Sequence, residues 1–202
     1  MWPRWFTLQL MAATFEILHV GYVRDEGSSV GSTVSLVRDG AAIIVVDPGM
    51  VADRELILDP LRVRGIGPED VTHVVLTHHH PDHALHMGLF PNAEVVDFWA
   101  RYHGDQWLDH GGDGTAVSQH SRILLTPGHT AEDLTLLVET DDGVVACTHC
   151  WWHADRTPEV DPLCDDQGAL AASRERILAE ADHVVPGHGP AFPTGRSSPD
   201  LR

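Results

Sequence analysis

The 202-residue chain predicts an α/β fold, with two layers of β-sheet and helices packed outside them. Three observations carry that prediction. Short runs rich in Val, Ile and Leu recur along the chain, each closed by Gly, Pro or Asp, the punctuation of strands and turns. Between some of them lie segments with apolar residues at helical spacing. Hydrophobic residues make up 43% of the chain, enough to fill a buried layer rather than leave it disordered.

FEILHVGYV (residues 15–23) reads as the first strand, followed by the loop RDEGSSVGS. TVSLVRDG and AAIIVVDPG are β-rich and meet at Asp39-Gly40, a hairpin signal. Residues 51–70 place Leu56, Leu61 and other apolar residues at helical spacing, predicting a helix interrupted near Pro60 and ending at Gly65. VTHVVLT, AEVVDFW and RILLTPGH are further strands, and DLTLLVETDDGVVACTH is a hairpin about Asp141-Asp142-Gly143. QGALAASRERILAEAD aligns Leu170, Arg174, Ile177, Leu178 and Ala181 on one helical face, then HVVPGHGP makes a last strand and turn. No repeat or linker divides the chain. Residues 1–202 read as a single domain, with 1–12 as an extension (Met11 being an alternative start) and 193–202 as a frayed polar tail.

The charge balance is lopsided, with 30 acidic residues against 13 basic ones, every one of them arginine, for a net charge of −17. Such a surface repels polyanions, so no extended nucleic-acid or anionic-membrane surface is expected and a small molecule is the expected partner. Cys147, Cys150 and Cys164 are too few and odd in number for a disulfide scaffold, which points to a reducing cytoplasm. No run reaches the roughly 18 apolar residues that span a bilayer.

LTHHHPDHALHMG (residues 76–88) packs five histidines and one aspartate behind an apolar strand. Crowded imidazoles repel when protonated, so the cluster needs a compensating partner. In His78-x-His80-x-Asp82-His83 the first two alternate along an extended segment and aim at one point. After Pro81 the chain turns, and Asp82 and His83 present a second set. Neutral imidazole suits zinc or ferrous iron, a carboxylate adds charge compensation and a base, and a bound cation removes the repulsion. His129 in LLTPGHT and His188 in VVPGHGP share one pattern of apolar strand, Pro-Gly turn and histidine. Three strand ends thus deliver imidazoles to turns, as an open metal site requires.

VVDPG (45–49), THHHPDH (77–83), PGHT (127–130) and PGHG (186–189), in this order, resemble the metallo-β-lactamase superfamily over about residues 33–192. GLFPNAEVV and ADHVVPGHGPAF resemble one small subgroup of it. The resemblance implies a four-layer αββα sandwich with a dinuclear centre at the sheet edge. It assigns one metal to His78, His80 and His129 and the other to Asp82, His83 and His188. The family's bridging aspartate has no counterpart: the register from Gly143 puts Thr148 and His149 at the usual Gly-Asp pair. A neutral imidazole adds no charge and binds one ion, so His149 is expected either as a terminal ligand or as a group behind the ligands. The second metal is then expected to bind more weakly.

The implied activity is hydrolysis of an ester, thioester, lactone or related small acyl substrate by a metal-bound hydroxide, with Asp82 orienting it or taking its proton. One or two zinc ions are the expected cofactors, with iron or manganese as alternatives. The alternative activities are a phosphodiesterase or ribonuclease-like hydrolase and an iron-dependent oxidoreductase of the persulfide-dioxygenase kind. The resemblance also admits a homodimer. Cys147 and Cys150 are read as packing residues and His79 as facing away from the site. His103, His110, His120 and His153 are read as solvent-facing. Trp99, Trp107, Trp151 and Trp152 are expected at the cleft mouth, and the polar, glycine-rich stretch 102–119 as a mobile loop over the site.

Overall fold

The computed structural model describes residues 12–154 and 160–195. The proposed extension at 1–12 lies, but for its last residue, outside them, as do residues 196–202 of the proposed tail. The chain opens with β1 (Thr14–His19), then a small hairpin of β2 (Tyr22–Arg24) and β3 (Ser29–Gly31). β4 (Val34–Asp39) and β5 (Ala42–Val46) pair with Asp39 opposite Ala42, and Gly40 takes φ +60° in the turn, a conformation glycine adopts without strain.

Helix α1 (Glu55–Val63) follows. It runs through Pro60 rather than breaking there. One backbone bond is lost, but burial of Ile57 and Leu61 against the sheet holds the helix together. Gly65 at φ +72° ends it, with the Ile66 N–H donating to the Leu61 carbonyl at 3.0 Å and Ile66 folding back into the same apolar cluster. β6 (His73–Val75) leads to the single helical turn α2 (Pro81–Ala84), and then to β7 (Glu94–Val96), β8 (Arg101–His103) and β9 (Gln106–Leu108). The first sheet has the order β1-β4-β5-β6-β7-β8-β9.

The second sheet begins with β10 (Ala116–Ser118), β11 (Ser121–Leu125), β12 (Leu134–Thr140) and β13 (Gly143–Cys147). Helix α3 (Gln167–Glu180) starts on the Asp166 carboxylate, which accepts from the Gly168 and Ala169 N–H groups at 2.9 Å each. β14 (His183–Val185) and β15 (Phe192–Pro193) complete the order β10-β11-β12-β13-β14-β15. Pro193 thus pairs with His183, and Thr194 is buried with its hydroxyl on the Ala181 carbonyl. The chain stays packed two residues further than the sequence suggests, because a strand edge at β14 needs a partner.

Three apolar clusters place the layers. Val37, Ile44, Val46 and Val75 of one sheet meet Ile123, Leu136, Val138 and Val185 of the other between the sheets. Ile57 and Leu61 of α1 cover the outer face of the first sheet, and Leu170 and Ile177 of α3 cover that of the second. The result is the αββα sandwich. Truncating a fully buried leucine such as Leu136 costs about 2–5 kcal/mol, so this core sets the rigidity of the rim above it. Among the described residues no helix is long and apolar enough to cross a membrane.

Candidate metal centre

β5 and β6 are parallel, β13 and β14 are parallel, and β11 shares the direction of β13 because both oppose β12. The two sheets meet at the ends of these strands, where the Leu134 N–H donates to the Thr77 carbonyl and the Thr33 N–H to the Gly187 carbonyl, at 2.8 Å each. His78 leaves β6, Asp82 and His83 stand on α2, and His129, His149 and His188 leave β11, β13 and β14. All six, with His80, converge on that rim.

Possible ligand atoms of His78, His80 and His129 lie within 4.8 Å of one another, and so do those of Asp82, His83 and His188. His80 Nδ1 faces His129 Nε2 at 3.2 Å. Asp82 Oδ2 lies 3.4 Å from His83 Nε2 and 3.5 Å from His188 Nε2. His149 forms a third such group with His78 and His83. Its ring lies flat on His78, with centroids 4.5 Å apart, and 4.2 Å from His129. The sequence register thus led to a histidine at the centre of the cluster. The sheet leaves it room only because position 187 is glycine: a Cβ there would come within 2.0 Å of His149 Nδ1.

The outward nitrogens have partners that settle the tautomers. His83 Nδ1 donates to Asp47 Oδ2 at 2.8 Å, His129 Nδ1 to Asp161 Oδ2 at 2.9 Å, and His188 Nδ1 to the Gly31 carbonyl at 3.0 Å. Thr77 Oγ1 donates to Asp47 Oδ2 at 2.7 Å, which leaves its lone pair to accept from His78 Nδ1 at 3.2 Å. In each case the Nε2 lone pair turns inward. Neither Asp47 nor Asp161 was assigned a role from sequence. Asp47 is buried at φ +50°, a left-handed conformation that aspartate tolerates better than most residues, and it anchors the Thr77 N–H at 2.7 Å as well.

The electrostatics agree with neutral imidazoles. Burial, then the neighbouring rings, hold His78 and His149 well below the usual histidine range. Burial also lowers His129, against the pull of Asp161, and brings His188 down to about 4. His83 differs: burial opposes its charge, but Asp47 outweighs that and raises it. Meanwhile His78 Nε2, His83 Nε2 and His149 Nδ1 are buried with no hydrogen-bond partner among the described residues. Leaving three polar atoms so costs about 1–3 kcal/mol each, unless an electron-poor centre sits among them. Converging imidazole lone pairs and one carboxylate fit a divalent transition metal.

The cluster opens into a cavity of about 350 Å³. His80, Asp82, His129, His149 and His188 form its floor, and Val23, Val30, Met50, Trp152 and Leu163 its walls. Of the four tryptophans expected at this mouth only Trp152 lines that cavity; its Nε1 donates to Asp161 Oδ2 at 3.0 Å. Trp151 points the other way, into the α3 layer beside Phe192. Trp99 is exposed and stacks on His79, and Trp107 is exposed against Tyr102. Residues 102–119 form no loop over the site: β8 and β9 extend the first sheet and β10 the second.

His79 does face away, its Nε2 3.0 Å from Asp97 Oδ2. His103 is exposed, but His110 is buried on the Asp97 and Phe98 carbonyls, and His120 is half-buried on Asp39 at 2.7 Å. Polar neighbours made both look solvent-facing, and long-range partners bury them. Cys147 packs between the sheets and Cys150 under α3, and burial pushes the Cys150 thiol up to about 12.

Residues 28–191 match the model of the metallo-beta-lactamase superfamily. Metallo-beta-lactamase domain-containing protein 1 of Xenopus laevis is 33% identical over 192 residues, covering 87% of this chain and 79% of that one. A solved Thermotoga maritima structure superposes with a TM-score of 0.72 at 19% identity, over 90% of this chain and 99% of that one. An N-acyl homoserine lactone hydrolase with the product N-hexanoyl-L-homoserine at its catalytic metal centre superposes with a TM-score of 0.63 at 19% identity, over 89% and 93%. The subgroup likeness in GLFPNAEVV and ADHVVPGHGPAF agrees with the first of these relatives. With its core, its rim of histidines and these likenesses, the chain belongs to the metallo-β-lactamase superfamily, whose members are metallo-hydrolases.

Proposed function

We propose that this protein hydrolyses a small, largely apolar acyl compound (an ester, thioester or lactone) using two divalent ions, zinc in the first instance. The observation that carries the reading is the pair of ligand groups, His78/His80/His129 and Asp82/His83/His188, opening onto an apolar cavity. A divalent cation there supplies Lewis-acid polarisation of a carbonyl and acidifies water.

The chain supplies the rest. Trp152, Leu163, Met50, Val23 and Val30 hold the acyl portion and keep bulk water out. The Asp82 carboxylate, half-buried at the cavity floor, orients the attacking water and takes its proton. Asp47, Thr77, Asp161 and the Gly31 carbonyl keep the imidazoles in the inward tautomer throughout. His149 would hold an ion beside His78 and His83 as a neutral ligand, which supports a second ion held more loosely than the first. The net charge of −17 supports a small molecule over a nucleic acid, and the three free thiols support a cytoplasmic setting.

The test is a panel of acyl esters, thioesters, lactones and bis-aryl phosphates with metal-loaded protein. Preference for acyl substrates over the phosphodiesters supports the reading. Turnover of phosphodiesters alone sinks it.

A further inference from the structure

The apolar cavity has a neighbour. A second cavity of about 390 Å³ is lined by Tyr22, Val23, Arg24, His153, His188 and the Gly189–Pro190 backbone. Val23 and His188 line both, so the two are lobes of one cleft that meet at the histidine cluster. The divider is the hairpin β2–β3, with Val23 paired to Val30 and Arg24 to Ser29. Alternate residues of a strand face opposite ways. Val23 and Val30 thus wall the apolar lobe, while Tyr22 and Arg24 turn together towards the other.

Arg24 is the cation of this lobe. In this acidic chain Arg54, Arg62, Arg64, Arg101, Arg122 and Arg176 each lie within ion-pair reach of a carboxylate. Arg24, like Arg38 and Arg174, has no such partner among the described residues, but of these three only Arg24 lines the cleft; its guanidinium stands 4.2 Å over the Tyr22 ring. His153, whose ring centroid is 6.2 Å from that of His188, lines the same lobe.

The geometry points to a bipartite substrate: an apolar acyl group in the Trp152 lobe, and a leaving group bearing a carboxylate or similar anion in the Arg24 lobe. This rests on the acyl-hydrolase reading and narrows it. The overall field of the protein repels anions, so a preference for one has to be local, and Arg24 supplies it.

The test compares 4-nitrophenyl butyrate with its 3-carboxylate, 3-carboxy-4-nitrophenyl butyrate, on metal-loaded protein. The carboxylated ester is expected to have a KM lower by about threefold or more, as a partly exposed guanidinium–carboxylate pair gives. Arg24→Gln should abolish that ratio and Arg24→Lys should keep part of it. Arg38→Gln, an exposed arginine on β4 away from the cleft, should leave the ratio as it is. Equal KM values in the unaltered protein, or equal effects of Arg24→Gln and Arg38→Gln, overturn the proposal. If neither ester is cleaved, the acyl-hydrolase reading has failed and the lobe is judged by equilibrium binding of the two phenols. Tighter binding of 5-hydroxy-2-nitrobenzoate than of 4-nitrophenol, lost in Arg24→Gln, then upholds it, and equal binding overturns it.

Discussion

His129 Nδ1 lies 2.9 Å from Asp161 Oδ2, and that same oxygen accepts the Trp152 indole N–H at 3.0 Å. One buried carboxylate therefore holds both an imidazole of the metal centre and the aromatic wall of the cavity. Asp161→Asn keeps the shape, but whichever way the amide is turned its NH2 faces a donor: the Leu163 N–H on one side, or His129 Nδ1 and the Trp152 indole on the other. Loss of such a partner lowers metal affinity by about 10–100-fold. A competition titration with a chelating dye should show that drop, with altered Trp fluorescence alongside it.

Asp47 carries three bonds: from the Thr77 N–H, the Thr77 hydroxyl and His83 Nδ1. Asp47→Ala leaves these donors buried and unpaired, at about 1–3 kcal/mol each. The denaturation midpoint of the metal-free protein should fall accordingly, and loading at the Asp82/His83/His188 group should weaken too.

How much of this was legible in the chain follows from range. The histidines could be read because H-x-H-x-D-H and the two Pro-Gly-His turns are local patterns on strand ends, and the strands feeding them are unbroken apolar runs. Asp47 and Asp161 could not, since each meets its imidazole across more than 30 positions, and only the fold says which of 30 acidic residues does so. The VVDPG segment was a usable signal for Asp47. Trp151 and Trp152 are adjacent in the turn beyond β13, and their side chains part there, one to α3 and the other to the cavity. The hairpin β2–β3 was missed, with Tyr22 and Val23 read into the first strand and Ser29–Gly31 into a loop, because its strands are three residues each, too short for a periodic signal.

His149 and Gly187 should behave as a pair. Gly187→Ala would press a methyl group against His149 Nδ1 and displace the ring. Both Gly187→Ala and His149→Ala should weaken binding of the second ion by about tenfold or more, read by zinc titration. Full loading and full rate in His149→Ala would remove His149 from the centre.

Acid should act through the depressed histidines. His78, His129, His149 and His188 have folded values below the ordinary 6.5, with His188 at about 4. The unfolded chain therefore takes up protons first, and the stability these groups contribute is present above pH 6.5 and lost as the pH falls towards 4. The melting temperature of the metal-free protein should drop across that window, and metal loss should track it.

Cys150 supplies the contrast. Its thiol packs against Leu170 and Ile177 in the α3 layer, and its carbonyl, not its sulfur, meets Arg174. Cys150→Ala should cost about 1 kcal/mol of stability and leave metal content and turnover unchanged, measured by elemental analysis and the ester assay.

The most direct measurement is the zinc stoichiometry of the purified, metal-stripped chain on titration. Two ions per chain are predicted, one tight and one weaker, with His80→Ala abolishing the tight one. A chain that binds no zinc at micromolar concentrations, or an unchanged titration in His80→Ala, would contradict the centre on which the account rests.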